Sequence, residues 1–216
     1  MQIVWHGLSC FEVNAKLGSV EATVITDPYG ESAGVKIPRS MKANMVVVSH
    51  DQDIANNLSA VSDEEEGSVP FLVNHAGEYE VRGIFATGIR VPKKDGTEHT
   101  IYRLYVENVK IAFLGALDRA LTADEIAALG DIDVLLVPVG GHSVLTSDEA
   151  QDMIKEIEPR LLIPYYYQIP GCKFELDGIE GFCKELSCTH VEDGKLKITK
   201  SGLSEEETQT MVLPPV

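Results

Sequence analysis

The stretch that decides the fold covers residues 122–157 and reads TADEIAALGDIDVLLVPVGGHSVLTSDEAQDMIKEI. Near its centre, residues 134–139 form an uninterrupted apolar run, which is typical of a strand buried on both faces. Residues 122–125 and 146–149 both have the Thr-x-x-Glu pattern of a capping box, and each predicts the start of a helix. A helix, a buried strand and a second helix in succession indicate an α/β fold.

The segments that follow continue this alternation of helices and strands. Gly130 ends the first predicted helix and Pro159 ends the second. Residues 161–163 predict another buried strand, and the apolar spacing of residues 179–186 predicts a third amphipathic helix.

The first half of the chain is rich in short β segments separated by turn residues. A hairpin is predicted for residues 101–106 and 110–114, joined through Glu107 and Asn108. No flexible linker interrupts the pattern, so we expect one domain covering residues 1–216. The other predicted strands are residues 2–5, 11–13, 22–26, 45–48, 69–73, 79–87, 195–199 and 211–213.

Composition limits the possible partners and the compartment. The formal net charge of −16 argues against nucleic acid and anionic membranes, because both repel an acidic surface. No apolar run approaches the ~20 residues of a membrane span, and the first residues lack a signal-peptide pattern. The four cysteines include no C-x-x-C pair. We therefore expect a cytoplasmic protein with free, mostly buried thiols.

Several motifs occur in a characteristic order along the chain. They are WHGLSCF at residues 5–11, ITDP at 25–28, VVSHDQDIANN at 47–57, GEYEV at 77–81, DIDVLLVPVGG at 131–141 and IP at 163–164. Together they resemble the metallo-β-lactamase fold superfamily, in its zinc-dependent hydrolase-like branch, over roughly residues 1–200. The resemblance implies a four-layer αββα sandwich of two mixed β-sheets flanked by helices, with the functional loops at one edge.

The resemblance also identifies the positions that hold metals in the family. His50 matches the first histidine of the metal motif, but Gln52, Ile54 and Ala55 stand where further ligands are expected. Ala116 and Tyr166 replace two more, so the ligand motif reads as degenerate. The resemblance thus predicts a vestigial site edge that consists of His50, Asp51, Gln52, Ile54, Ala55, Ala116, Asp118 and Tyr166.

A further family histidine is expected after Gly88 and Ile89, where the nearest residues are Pro92, Lys93 and Lys94. We expect Tyr166 to fill the former metal pocket and to bond with Gln52 or His50. Lys93, if it enters the pocket, would replace some of the lost positive charge.

The main hypothesis is therefore a non-catalytic scaffold or binding protein, without catalytic residues or a cofactor. Its partner is not identifiable from the sequence, and assembly into a homo-oligomer is possible. The alternative is a metal-dependent hydrolase of an ester, lactone or phosphodiester with an altered, mononuclear zinc site. In that case the expected ligands are His50, Asp118 and His142.

Overall fold

A computed structural model describes residues 1–38, 40–65 and 67–216 of the chain. The described residues form two large β-sheets, a small two-stranded sheet and three α-helices. Both large sheets contain parallel and antiparallel pairs, and they contribute to one buried apolar core. The predicted α/β class with two mixed sheets is confirmed.

The described residues contain sixteen strands, six in the first large sheet, eight in the second and two in the small sheet. In chain order they are β1 (Gln2–Gly7), β2 (Cys10–Leu17), β3 (Val20–Thr26), β4 (Met41–Lys42), β5 (Met45–Val47), β6 (Val61–Ser62), β7 (Phe71–Val73), β8 (Gly77–Val81), β9 (Ile84–Arg90), β10 (Thr100–Val106), β11 (Val109–Phe113), β12 (Val134–Pro138), β13 (Leu161–Tyr165), β14 (Cys188–His190), β15 (Lys195–Lys197) and β16 (Gln209–Val212).

The first large sheet has the order β15-β1-β2-β3-β5-β7. Strands β15, β1, β2 and β3 pair antiparallel, whereas β3, β5 and β7 pair parallel. The parallel strands β3 and β5 therefore end at the same edge of the sheet, with Thr26 opposite Val47. This edge positions the candidate site.

The second large sheet has the order β14-β16-β13-β12-β11-β10-β9-β8. Every residue of β12 and β13 is buried, as the continuous apolar runs predicted. The predicted hairpin between β10 and β11 is also confirmed, since Glu107 and Asn108 both have positive φ angles. The single strand predicted over residues 79–87 is wrong, because Arg82 and Gly83 turn the chain with φ angles of 52° and 84°.

The three α-helices lie in the second half of the chain: α1 (Ala123–Leu129), α2 (Ser147–Ile157) and α3 (Ile179–Glu185). The two predicted capping boxes are formed, at Thr122 with Glu125 and at Thr146 with Glu149. In each box the threonine oxygen accepts from the glutamate N–H, while the glutamate carboxylate accepts from the threonine N–H. The end of α1 at Gly130 is confirmed as well.

Aromatic side chains pack the two large sheets together. Phe11 in β2 meets Tyr165 in β13 edge to face, with ring centroids 5.1 Å apart. The ring centroids of Trp5 in β1 and Tyr167, which follows β13, are 5.0 Å apart. Aromatic pairs of this kind stabilise a core by more than the burial of their apolar surface alone would. Among the described residues, no helix is long and apolar enough to span a membrane.

The prediction of four free thiols is wrong. Cys183 in α3 and Cys188 in β14 form a disulfide, with their Cα atoms 5.5 Å apart. Cys10 and Cys172 are free, and only Cys10 is fully buried. Spacing alone did not reveal the pair, because the helix end and the following strand bring the two residues together only in the folded chain.

Candidate functional site

The candidate site begins where β3 and β5 end side by side. Asp27 follows β3, and its backbone N–H donates to the carbonyl of Val47, the last residue of β5, at 2.9 Å. Ser49 and His50 follow β5 directly after Val48. Parallel pairing thus places Asp27 beside Ser49 and His50.

Ser49 connects the carboxylate to the imidazole. Its N–H donates to Asp27 Oδ1 at 2.7 Å, and its hydroxyl donates to Asp27 Oδ2 at 2.6 Å. The same hydroxyl oxygen lies 2.9 Å from His50 Nδ1. When Asp27 is ionised, the serine proton points at the carboxylate, so the oxygen accepts from His50 Nδ1–H. That tautomer leaves a lone pair on His50 Nε2.

Burial controls the charge of these groups. Asp27 is fully buried, which raises its pKa to about 7, although the bonds from Ser49 act in the opposite direction. Desolvation lowers the pKa of His50 to about 3, helped by the charges of His99 and Lys93 and opposed by Asp51. The imidazole of His50 is therefore neutral at physiological pH. Its Nε2 atom is buried and has no hydrogen-bond partner among the described residues.

His99 is a second buried imidazole beside His50. It lies just before β10, is 1% exposed, and its Nε2 is 2.9 Å from the carbonyl oxygen of Leu114. Because a carbonyl only accepts, Nε2 carries the proton and Nδ1 keeps a lone pair. Desolvation lowers the pKa of His99 to about 4, and its Nδ1 also lacks a partner among the described residues.

Sequence reasoning missed His99. The search after Gly88 and Ile89 considered only Pro92, Lys93 and Lys94, the nearest residues in the chain. His99 is the next histidine along, and the loop before β10 returns it to the site: the N–H of Thr100 donates to the Ser49 carbonyl at 2.9 Å. A search extended to the start of the next strand would have included it.

Gly115 makes room for the side chain of Ser49 and the imidazole of His99. Its φ angle is +58°, and a Cβ there would lie 2.4 Å from Ser49 Oγ and 2.8 Å from His99 Cε1. Both the backbone conformation and the lack of space therefore require glycine.

The two histidines line one cavity of about 820 Å³. Its polar lining combines cations with carboxylates and amides, since Arg90 and Lys93 face the same space as Asp51 and Glu98. The complete lining is Val48, Ser49, His50, Asp51, Gln52, Asn56, Asn74, His75, Ala76, Arg90, Lys93, Thr97, Glu98, His99 and Thr100.

The predicted site edge is only partly assembled. Of its eight residues, His50, Asp51 and Gln52 line the cavity, and Asp51 accepts a 2.6 Å bond from Asn56. Ile54, Ala55 and Ala116 do not line it.

Tyr166 does not fill the cavity, contrary to our expectation. It is buried but makes no hydrogen bond with His50 or Gln52 among the described residues. It follows the end of β13, and its φ angle is 57°, so strand alternation no longer sets its direction.

The two other expected metal ligands lie elsewhere. Asp118 accepts a hydrogen bond from the backbone N–H of Lys94 at 3.1 Å and does not line the cavity. His142 is exposed, with its Nε2 3.7 Å from Asp177. Within residues 1–38, 40–65 and 67–216, no three His, Cys, Asp or Glu side chains gather into a ready metal cluster. Among the possible donors that line the cavity, His50 Nε2 and His99 Nδ1 are buried and lack a hydrogen-bond partner in the described part of the chain.

Comparison with known proteins places this geometry in context. A family model described as a beta-lactamase superfamily domain matches residues 2–166. A UPF0173 protein of Pyrococcus abyssi is 28% identical over 86% of this chain and 90% of its own length. A UPF0173 metal-dependent hydrolase of Thermoplasma acidophilum is 25% identical over 77% of this chain and 83% of its own length.

One solved structure matches almost the whole chain. It comes from Thermotoga maritima, and its name suggests a zinc-dependent hydrolase of the metallo-beta-lactamase superfamily. The TM-score is 0.77 at 26% identity, with 98% of this chain and 97% of that chain covered.

These relatives correct one expectation from the sequence. We predicted that no cofactor is needed, whereas relatives that match most of the chain are named metal-dependent or zinc-dependent hydrolases. The expectation rested on the substituted ligand positions of the family motif, and His99, which reaches the cavity from a different loop, was not among the candidate ligands.

Proposed function

Because the chain belongs to the beta-lactamase superfamily domain family, we propose that it is a metal-dependent hydrolase whose altered site holds one ion at His50. One observation carries the proposal: His50 is neutral, anchored through Nδ1, and has a free Nε2 lone pair beside a cavity. A metal-binding histidine typically has its other ring nitrogen held by such a bond. The names of the relatives point to the same function.

The donor set fits one ion better than two. Two neutral imidazoles suit zinc and related transition metals, and a catalytic site leaves at least one coordination position open. Such an ion polarises a carbonyl or phosphoryl group and makes water a better nucleophile near neutral pH.

The residues around His50 have separate tasks in this proposal. Ser49 and Asp27 fix the tautomer and the orientation of the imidazole. Asp51 lines the cavity and is close enough to influence the charge of His50. Gly115 leaves the space that the side chains of Ser49 and His99 occupy.

Lys93 favours a substrate that carries negative charge. Its side chain is half-buried at the cavity, where its charge disfavours protonation of both His50 and His99. A cation in this position would attract a phosphodiester more strongly than a neutral ester or lactone. We expect Lys93→Ala to raise the KM for a phosphodiester about tenfold or less, and to leave the KM for a neutral ester nearly unchanged.

The test compares metal-free and metal-loaded protein on a carboxylic ester, a lactone and a phosphodiester. We expect hydrolysis of at least one substrate by the loaded protein, its loss after chelation, and its loss in His50→Ala. His190→Ala is the matched control, because His190 is exposed in β14. The absence of metal-dependent hydrolysis of all three substrates by protein that retains its metal would reject the proposed function.

A further inference from the structure

His99 shares with His50 a combination of properties that is costly in a folded protein. Both residues are more than nine-tenths buried, since His99 is 1% exposed and His50 is 8% exposed. Each has one ring nitrogen without a hydrogen-bond partner in the described chain. A buried polar atom without a partner costs about 1–3 kcal/mol. Two such atoms on adjacent rings that line one cavity are candidate donors for a common ligand.

With Asp27 ionised, the hydrogen bonds also indicate which nitrogen of each ring is available. The carbonyl of Leu114 holds His99 Nε2, and the hydroxyl of Ser49 holds His50 Nδ1. The anchored nitrogens thus face protein groups, while His99 Nδ1 and His50 Nε2 remain as lone-pair donors. Outer bonds to a backbone carbonyl or a polar side chain are the usual support of a metal-binding histidine.

The separation of the two rings suits a shared ion. Their centroids are 5.7 Å apart and their planes differ by 38°. With zinc–nitrogen bonds of about 2.0–2.1 Å, two imidazoles on one tetrahedral ion have centroids roughly 5 Å apart. The observed centroid separation is close to this value.

We propose that His50 and His99 bind one divalent transition-metal ion together, through Nε2 and Nδ1 respectively. The inference deepens the proposed function and rests on it, because it names the second protein ligand of the same site. His99 lies outside every motif position that the family resemblance marks as a ligand. Oxygen donors of the cavity, such as Asp51, or water fill the remaining positions.

Metal content provides the first test. Full-length protein is stripped with a chelator, loaded with Co²⁺, dialysed and measured by elemental analysis and visible absorption. We expect about one equivalent of bound Co²⁺ in the wild type and in His190→Ala. We expect less than about a tenth of an equivalent of Co²⁺ in His50→Ala and in His99→Ala. Circular dichroism in chelator confirms that each variant is folded.

A second measurement needs no mutation and covers the case in which a variant fails to fold. Histidine ring nitrogens are labelled with ¹⁵N, and the spectra are recorded before and after one equivalent of Zn²⁺. We expect large shifts for His50 Nε2 and His99 Nδ1, while the exposed His142 and His190 stay unchanged.

The two proposals fail in different ways. If His99→Ala keeps a full equivalent with an unchanged Co²⁺ spectrum, or the His99 nitrogens do not shift, the inference is overturned while metal-dependent hydrolysis still stands. If both histidines bind the ion but no substrate is hydrolysed, the inference stands and the proposed function falls. A wild-type protein that binds no Co²⁺ and no Zn²⁺ overturns the inference outright.

Discussion

Ser49 is the residue on which the site depends most, because a single hydroxyl contacts both the carboxylate of Asp27 and the ring of His50. Ser49→Ala leaves a buried carboxylate and a buried imidazole each with one partner fewer. We expect a loss of about 1–3 kcal/mol in the free energy of unfolding and a metal affinity reduced about 10–100-fold. Urea unfolding and zinc titration measure the two effects.

The control for this substitution is Ser59→Ala, since Ser59 is exposed and its side chain bonds, among the described residues, only with Asn57, at 2.7 Å. Equal stability and equal zinc affinity of the two variants would show that Ser49 does not support His50.

Asp27 makes stability depend on pH in an unusual direction for a carboxyl group. Burial raises its pKa from 3.8 to about 7, so the folded state holds a proton that the unfolded chain releases above pH ~4. The stabilising effect of this protonation is present below pH ~4 and is lost as the pH rises to about 7. We therefore expect wild-type protein to lose stability relative to Asp27→Asn across that window.

The full pKa shift of Asp27 corresponds to a change on the order of 4 kcal/mol in the free energy of unfolding between pH 4 and 7. Urea unfolding of both proteins in chelator, at intervals between pH 4 and 8, gives the difference directly. All other ionisable groups are the same in both proteins, so their contributions largely cancel. A difference that stays constant with pH would mean that Asp27 keeps an ordinary pKa.

Among the elements, α2 has the clearest local determinants. Thr146 and Glu149 cap its first turn, and Ala150, Met153 and Ile154 form its buried face. Thr146→Ala removes the acceptor for the Glu149 N–H, and we expect it to destabilise the protein by about 0.5–2 kcal/mol. Thr146→Ser keeps the hydroxyl and should restore most of the loss in a urea unfolding measurement. If serine is as destabilising as alanine, the cap is not the cause.

Elements with strong local patterns were predictable from the sequence. The apolar runs of β12 and β13 and the boxes before α1 and α2 depend on neighbouring residues, so short windows reveal them. The break between β8 and β9 was missed, because Arg82 adopts a positive φ angle that sequence preferences disfavour. The disulfide of Cys183 was missed because it depends on how α3 meets β14.

In the whole molecule, the site lies where the two large sheets meet. The hydroxyl of Tyr102 in the second sheet donates to the backbone carbonyl of Val48 at 2.8 Å. The backbone N–H of Thr100 donates to the backbone carbonyl of Ser49. His50 was predictable because its motif is continuous in sequence. His99 was not, because its position at the cavity results from contacts between sheets that are distant along the chain.

The charge distribution of the whole molecule bears on its substrate. The chain has a formal net charge of −16, yet Lys93 and Arg90 line the cavity beside two neutral imidazoles. An acidic surface repels anions at long range, and this repulsion weakens when salt screens it. An anion that enters the cavity must therefore be held by short-range contacts. We expect the ammonium group of Lys93 to provide such a contact.

The central claim is that one metal ion binds at the two imidazoles. Its most direct test is anomalous diffraction at the zinc edge from crystals of the wild-type protein grown with zinc. We predict a single strong peak bonded to His50 Nε2 and His99 Nδ1, at about 2.0–2.1 Å from each. The absence of a peak at His50, or a peak bonded there without His99, would contradict it.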